Sequence, residues 1–195
     1  LVVYMIVFTK NFLFHFDLGN VFPSWTVLYV GIGVAGLTAP VSNQFSIGKL
    51  IVWYGILASF CVLPLVFVRL KRAPLSDMVK PNIMTICAPL SLMTAAYLRV
   101  YGLPNHYLLL TLIVLSQLLY FYMLYQLPKL LQLPFSPGFS AFTFPLVISA
   151  TALKMTLTSL ELGGIWQALL IIEIAIATLV VLRVLLGYIL YFKTN

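Results

Sequence analysis

Six long apolar segments follow one another along this chain, and they decide what it can fold into. Each is close to the roughly 20 residues that a helix needs to cross the ~30 Å hydrocarbon core of a bilayer. Hydrophobic residues make up 63% of the chain and charged residues only 8%, a balance that soluble domains do not have. Because lipid offers no partners to backbone polar groups, such segments have to be helical. The sequence therefore predicts an all-α integral membrane protein.

The predicted helices, named A to F, are joined by short loops that contain most of the charged residues. Their approximate bounds are 24–40, 49–68, 81–101, 105–127, 137–158 and 165–192, and residues 1–9 are interpreted as the end of a further span. Helix F exceeds the thickness of the hydrocarbon core, so we expect it to tilt or to protrude. The chain opens with Leu1 inside an apolar run. We therefore expect a single transmembrane domain, 1–195, that is incomplete at its N-terminus.

Basic residues near the helix ends predict the orientation in the membrane. One set of loops (10–22, 69–80, 128–136 and the C-terminal tail) carries seven of them, namely Lys10, Arg69, Lys71, Arg72, Lys80, Lys129 and Lys193. The opposite side carries three, namely Lys49, Arg99 and Lys154. Cytoplasmic loops are enriched in Lys and Arg, so we expect a multi-pass protein of the cell membrane with a cytoplasmic C-terminus. The net charge of +7 then reports topology and not nucleic-acid binding.

Prolines at regular intervals indicate a repeated helical hairpin. Pro23, Pro81 and Pro137 each open a helix, and they are 58 and 56 residues apart. Proline suits the first turn of a helix, where its missing N–H removes no hydrogen bond. Glycine and proline are frequent in membrane helices in any case. Three helices that each begin with a proline at regular spacing nevertheless favour an internal structural repeat. The unit is a small-residue-rich helix (A, C, E) followed by a plainer one (B, D, F).

A second irregularity follows each opening at the same offset. Eight residues after the opening proline, helices C and E have Pro89 and Pro145, and helix A has Gly31. A proline in a helix interior removes a hydrogen bond and kinks the helix. Irregular backbone in a membrane is tolerated against other protein or beside a water-filled cavity. We therefore expect kinks at these three positions and a passage beside them.

Small and hydroxyl-bearing residues on the same three helices are the candidates for lining such a passage. They are Gly33, Ser91, Ser140, Thr143 and Ser149. Hydroxyl groups could replace part of the hydration shell of a permeant ion. Alternatively, they could bond back to carbonyls of their own helix.

Three segments of the chain resemble the tellurite-resistance/C4-dicarboxylate transporter family, which also contains the slow anion channels of plant guard cells. They are PSWTVLYVGIGVAGLTAP, KPNIMTICAPLSLMTAAYL and SPGFSAFTFPLVISATALK. The resemblance covers essentially the whole chain, and FSAFTFPLVISATALK is its most specific piece. It implies ten helices in five hairpins around a central pore, and assembly into homotrimers. Helices A to F would be the fifth to tenth helices, so about six and a half spans are present and the pore is incomplete.

The resemblance also implies that an aromatic residue of the ninth helix plugs the pore, and the matching position is Phe144. A phenyl ring can close a narrow passage by steric hindrance and dewetting, and a rotamer change can open it. Composition alone favours packing, since Phe144 is one of 14 phenylalanines. Phe142 lies about 200° around the helix from it, so we expect that ring to face elsewhere.

Three charged residues near or inside the helices are further candidates. Arg99 and Lys154, near the outer ends of helices C and E, could attract anions at the mouth of the pore, or they could simply reach toward the interface. Glu173 is the one acid well inside a span. It could carry a proton as a coupling acid, or serve as a hydrogen-bonding group in the structure. Helix F is the second of its hairpin, so we expect Glu173 to lie outside the pore.

Three classes of function are weighed. Anion permeation, by a channel or a proton-coupled dicarboxylate carrier, is favoured because helices A, C and E contain no Asp or Glu, which a cation pathway would be expected to have. An intramembrane enzyme would need a convergent cluster at membrane depth, and we expect neither catalysis nor a metal or cofactor, since His15 and His106 are far apart in sequence. A non-conducting accessory subunit is the third class. Malate, chloride, nitrate, sulfite and tellurite all remain open as substrates.

Overall fold

The computed structural model describes residues 1–12 and 16–194, so His15 lies outside the described residues. Helices are the regular elements of these residues, with no strand among them, which confirms the predicted all-α class. The α-helices are α1 Val2–Phe12, α2 Trp25–Val30, α3 Gly33–Thr38, α4 Phe45–Arg72, α5 Ala88–Val100, α6 His106–Leu130, α7 Thr143–Ser159 and α8 Ile165–Thr194. Shorter 3-10 helices span Leu18–Asn20, Ala39–Ser42, Lys80–Cys87 and Pro137–Phe142.

The six predicted spans are all present, and they differ in regularity as the repeat requires. Six helical stretches of the described chain are long and apolar enough to cross a membrane. Helices B, D and F are the continuous helices α4, α6 and α8. Helix A is divided into α2 and α3, whereas helices C and E begin as 3-10 helices and continue as α5 and α7. The interruptions therefore fall in the first helix of each hairpin.

The interruptions at the two prolines differ from the expected kinks. Pro89 is the second residue of α5 and Pro145 the third residue of α7. Proline cannot donate to the carbonyl four residues back, and the turn before each proline is closed by shorter bonds instead. The N–H of Ala88 donates to the carbonyl of Thr85, and that of Thr143 to the carbonyl of Ser140. Each proline thus marks a change of helix type.

The two prolines that lie in helix interiors belong to the plainer helices. Pro64 lies inside α4 and Pro128 inside α6. Helix α4 also continues four residues beyond each end of the predicted span 49–68. Long helices with an internal proline are tolerated in membranes because neighbouring groups satisfy the freed carbonyl.

The core of the molecule is the second interrupted span, with the other two on its flanks. Helix α5 packs against α3 on one side and α7 on the other. Helix α4 covers α2, α3 and α5, helix α6 covers α5 and α7, and helix α8 covers α7. Within the described chain, 83% of the most apolar 18-residue stretch of Lys80–Val100 is buried, whereas the corresponding share for Ile165–Lys193 is 22%. The first helices of the hairpins thus lie inside, and the second helices form the outer layer.

Close packing at the core requires glycine on two helices that face α5. A Cβ atom on Gly33 of α3 would overlap the terminal methyl group of Met93, and one on Gly55 of α4 would overlap the sulfur of the same side chain. Met93 is fully buried between them. Gly33, expected to line the pore, therefore packs against α5 instead, because the space beside it is filled.

Loops predicted to share one side of the membrane are joined by hydrogen bonds. Arg69, at the end of α4, donates to the carbonyl of Ala73 at 2.6 Å and to that of Gly19 at 3.4 Å. Arg183 of α8 donates to the carbonyl of Leu131, after α6, at 2.8 Å. These loops lie at one end of the bundle. That this end is cytoplasmic stays a prediction.

Candidate functional site

The three interrupted spans contribute to one cavity. A space of about 740 Å³ opens between α1, α2 and the beginnings of α5 and α7. Gly31, Pro89 and Pro145 all line it, as does Phe144. Helix α1 closes one side through Phe8, whose ring meets that of Trp25 edge-on at 5.2 Å between centroids. The common offset of eight residues in the three hairpins thus corresponds to neighbouring positions around one space.

Apolar side chains form most of the cavity wall, and no described residue that lines the cavity is charged. Its polar members are Asn20, Ser24, Thr26, Asn82, Thr85 and Ser140. The absence of carboxylates among the described lining residues removes the groups that would attract cations. The described part of the wall is therefore compatible with an anion.

Three hydroxyl groups of this wall, those of Thr26, Thr85 and Ser140, already have hydrogen-bond partners in the backbone. Ser140 donates to the carbonyl of Pro137 at 3.1 Å. Thr26 and Thr85, 3.1 Å apart through their hydroxyls, also lie at 2.7 Å from the carbonyls of Pro23 and Asn82 respectively. Such bonds to nearby carbonyls are the alternative role weighed for hydroxyls in membrane helices. A permeant ion would therefore meet these three hydroxyls with their protons already donated to other groups.

Phe144 and Phe142 have opposite environments although they are two residues apart. Phe144, in the first turn of α7, is 46% exposed and reaches the cavity. Phe142 is fully buried, and its ring meets that of Phe139 edge-on at 5.0 Å between centroids. The roughly 200° that separates them on a helix accounts for the difference. Phe144 has open space beside it, and Phe142 has none.

Lys154 lies on the same face of α7 as Phe144 but not at the cavity. Phe144, Val147, Thr151 and Lys154 are spaced by three or four residues, so they share one side of the helix. Lys154 is ten residues beyond Phe144, about 15 Å along the axis. Together with Val147 and Thr151, it borders a separate groove of about 330 Å³ between α7 and α8.

Arg99 is exposed in the last turn of α5. It follows Leu92, which lines the cavity, by seven residues, and this spacing places both on one face of α5. Neither Arg99 nor Lys154 has an ion-pair partner among the described residues, where the one ion pair is that of Lys80 with Asp77. The role of Arg99 and Lys154 in attracting anions stays a prediction.

Three candidate hydroxyls are turned away from the cavity. Ser91 is fully buried and donates to the carbonyl of Cys87 at 2.9 Å. Thr143 is half-buried, donates to the carbonyl of Ser140 at 2.8 Å, and does not line the cavity. Ser149 is fully buried, about 140° around α7 from Phe144. None of these three is among the described residues that line this cavity, and their place along the passage stays a prediction.

Ser149 instead belongs to a buried group of polar side chains, which we name the Glu173 cluster. Its members are Gln117 and Tyr120 of α6, Ser149 of α7 and Glu173 of α8. The Glu173 carboxyl group lies close enough to Gln117 and Ser149 to interact with both. The geometry nevertheless satisfies no hydrogen bond to any side-chain oxygen or nitrogen of the four. Glu173 does not line the cavity.

Sequence reasoning missed Gln117 and Tyr120. Both lie on a helix that the repeat assigns to the outer layer, where side chains are expected to face lipid. An amide in the middle of a long apolar helix is the signal that could have drawn attention to Gln117. The described residues contain no group of three or more His, Cys, Asp or Glu side chains that could bind a metal ion.

Comparison with models of known protein families identifies a match for this chain. A family model described as "Voltage-dependent anion channel" matches residues 1–189. A search of curated proteins finds no match. The matching family consists of channels and transporters and not of enzymes. Because the match extends over nearly all of the 195 residues, the chain belongs to the voltage-dependent anion channel family.

Proposed function

We propose that the cavity is part of a pathway for anions across the membrane and that Phe144 closes it. One observation carries this proposal, namely that the interruptions of all three hairpins and Phe144 line the same cavity. A half-exposed ring at the start of a helix can change rotamer without disturbing the core. An apolar constriction of this kind can block ions by dewetting.

Charge supports anions as the permeant class. The described residues of the cavity wall include no acid, and Glu173 lies elsewhere. Arg99 and Lys154 lie further along the two faces that carry Leu92 and Phe144, where they would raise the local concentration of anions. Small inorganic anions and C4-dicarboxylates such as malate both have the required charge.

The wall also favours passage over tight binding. Conduction requires that an ion be held weakly enough to leave, and the cavity hydroxyls of Thr26, Thr85 and Ser140 are engaged with backbone carbonyls. A proton-coupled carrier would place its coupling acid where it can exchange with the substrate. Glu173 is not in contact with the cavity, so a channel is the better-supported reading.

Three further parts of the proposal come from family resemblance and from the basic residues. We propose a homotrimer in the cell membrane with the C-terminus in the cytoplasm. The basic residues Arg69, Lys71 and Arg72 at the end of α4 support this orientation.

The test is anion flux into liposomes that contain the complete protein. We expect Phe144→Ala to raise flux by about tenfold, the effect of lowering a barrier by ~1.4 kcal/mol. Phe121→Ala is the matched control, since Phe121 of α6 is 45% exposed, against 46% for Phe144, and does not line the cavity. We expect Phe121→Ala to leave flux unchanged.

Each other outcome removes a part of the proposal. Flux that is equal in wild type and Phe144→Ala would overturn the gate. Flux without preference for anions would overturn the substrate class. No flux from any variant would favour a non-conducting accessory role.

A further inference from the structure

The Glu173 cluster collects six polar atoms that have no hydrogen-bond partner in a membrane interior. They are both carboxyl oxygens of Glu173, the amide oxygen and nitrogen of Gln117, Oη of Tyr120 and Oγ of Ser149. Tyr120, Ser149 and Glu173 are each at most 1% exposed. Buried polar groups are nearly always paired, and α6, α7 and α8 bring these side chains together. The cluster therefore needs a further hydrogen-bond donor or acceptor, beyond what its side chains supply in this arrangement.

No basic side chain of residues 1–12 and 16–194 forms an ion pair with Glu173. The described part of the chain contains one ion pair, between Lys80 and Asp77, and Arg183 of the same helix is bonded to the carbonyl of Leu131. The other titratable groups within electrostatic reach are Tyr120 from α6 and Cys87 from the 3-10 helix before α5. Both are uncharged acids, so neither can balance a carboxylate. An unpaired carboxylate at this depth would be very costly.

A proton on Glu173 would remove the unpaired negative charge and would also supply a hydrogen-bond donor to the cluster. A neutral carboxyl group has one O–H donor and a carbonyl acceptor, and the amide of Gln117 has the complementary acceptor and donors. The hydroxyls of Ser149 and Tyr120 can donate and accept. Side-chain rotation would therefore let a neutral acid pair with both groups of the Gln117 amide, whereas an ionised carboxylate could only accept and would give the amide oxygen no donor.

We propose that Glu173, Gln117, Ser149 and Tyr120 form a proton-binding site inside the membrane, in which one carboxylate oxygen of Glu173 takes up a proton from the aqueous phase. The neutral acid then donates a hydrogen bond to the amide oxygen of Gln117 and accepts one from its nitrogen. The site links α6 and α8 to α7. Ser149 is five residues beyond Phe144, so the protonated site holds the helix that carries this ring.

A consequence for conduction follows, and this part rests on the proposed function. Loss of the proton leaves a charge that the cluster cannot pair, which weakens the contact between α7 and its neighbours. We expect anion flux to rise with pH by about fivefold, at the lower end of typical coupling between two sites. The site would thereby act on the opening of the cavity without lining it.

The first experiment detects the proton without using conduction. Infrared difference spectra of the complete protein across a pH titration should contain a carboxylic C=O band from a buried neutral acid. Glu173→Gln should remove this band. Glu161→Gln should not, since Glu161 is exposed in the turn after α7. A band absent from wild type, or retained in Glu173→Gln, would overturn the site.

Two further measurements complete the test. Gln117→Leu should shift the band, because it removes the partner of the acid while keeping Glu173, and an unshifted band would contradict the pairing. The pH dependence of flux should disappear in Glu173→Gln and persist in Glu161→Gln, and the opposite pattern would overturn the coupling. If the band behaves as expected while no variant conducts, the proton site stands and the proposed function fails.

Discussion

The two sides of α7 treat polar groups in opposite ways. On the cavity side, the hydroxyls of Thr26, Thr85 and Ser140 are bonded to nearby carbonyls, and apolar side chains form most of the remaining wall. On the side that faces α6 and α8, Ser149 and Glu173 are buried and have no hydrogen bond. Three hydroxyls of the open cavity thus have their hydrogen bonds, whereas the buried polar side chains between α6, α7 and α8 lack theirs.

Under the proposed function, this difference separates the permeation of anions from its control. A surface that an ion has to leave quickly benefits from groups whose hydrogen bonds are already made. A buried group with unmet hydrogen bonds is sensitive to a single proton, because a charge in a medium of low dielectric constant has large energetic effects. One helix can therefore present a passage on one face and a sensor on another.

The largest expected effect concerns Phe142, two residues before Phe144. Phe142→Ala should lower the free energy of unfolding by about 3–5 kcal/mol, since it opens a cavity in a packed core. Phe144→Ala should cost only about 1 kcal/mol, less than the 1.5–3 kcal/mol for a fully buried side chain. Thermal unfolding of the detergent-solubilised protein measures both.

Comparison of Phe142→Ala with Phe144→Ala also serves as a control for the flux experiment. If Phe144→Ala destabilised the protein as strongly as Phe142→Ala, the ring of Phe144 would be a core residue. A rise in flux would then reflect damage and not gating. Equal losses would thus break the distinction between the cavity face and the core.

The second prediction concerns the hydroxyl of Thr85, which is within bonding distance of Pro23, Asn82 and Thr26. Thr85→Val should cost about 1–2 kcal/mol of stability, because it removes buried hydrogen bonds between two interrupted spans. Anion selectivity should change little, since this hydroxyl is already engaged. Thr111→Val is the control, as Thr111 is exposed and bonds only within α6. Normal stability with reduced selectivity would show that Thr85 serves the ion instead.

Much of the fold could be predicted because a lipid environment permits few backbone structures. The length of each apolar run determines whether it can span, and the positions eight residues after Pro23, Pro81 and Pro137 lie within three residues of the interruptions. The form of the interruptions was not predictable. A proline without its N–H is compatible with a kink inside a helix or with the start of an α-helix. Contacts with neighbouring helices decide between these, and spacing does not report them.

The candidate site was predicted in part, for a related reason. Gly31, Pro89, Pro145, Ser140 and Phe144 were located at the cavity through the repeat and the family resemblance. Gly33 and Ser149 do not line the cavity, because a small residue can line a space or admit a neighbour, and only the neighbour distinguishes the two. Met93 fills the space beside Gly33, and α6 and α8 enclose Ser149. Gln117 was missed because the repeat assigns its helix to the outer layer.

The third prediction compares one serine from each side of α7. Ser149→Ala should lower stability by about 1 kcal/mol, the typical value of a hydrogen bond, because the protonated Glu173 cluster uses this hydroxyl. Ser140→Ala should change stability by less than about 0.5 kcal/mol, since Ser140 is exposed. Unfolding should be measured at low pH, where the cluster carries its proton. A gain in stability on Ser149→Ala would mean that the hydroxyl stays unpaired, and would contradict the proposed cluster.

The smallest expected effect belongs to the two cations that share helix faces with the cavity. Exchanging Arg99 and Lys154 together for Gln should lower anion flux about twofold at low ionic strength, because exposed charges act by raising the local anion concentration. The reduction should vanish near 1 M salt, where the Debye length falls to about 3 Å. Lys49→Gln is the control, since the ammonium group of Lys49 lies 5.3 Å from the centre of the Tyr101 ring and is on neither face. A reduction that survived high salt would indicate direct contact of Arg99 or Lys154 with the permeant ion. The cavity face would then contain a binding site, and its contrast with the Glu173 cluster would be lost.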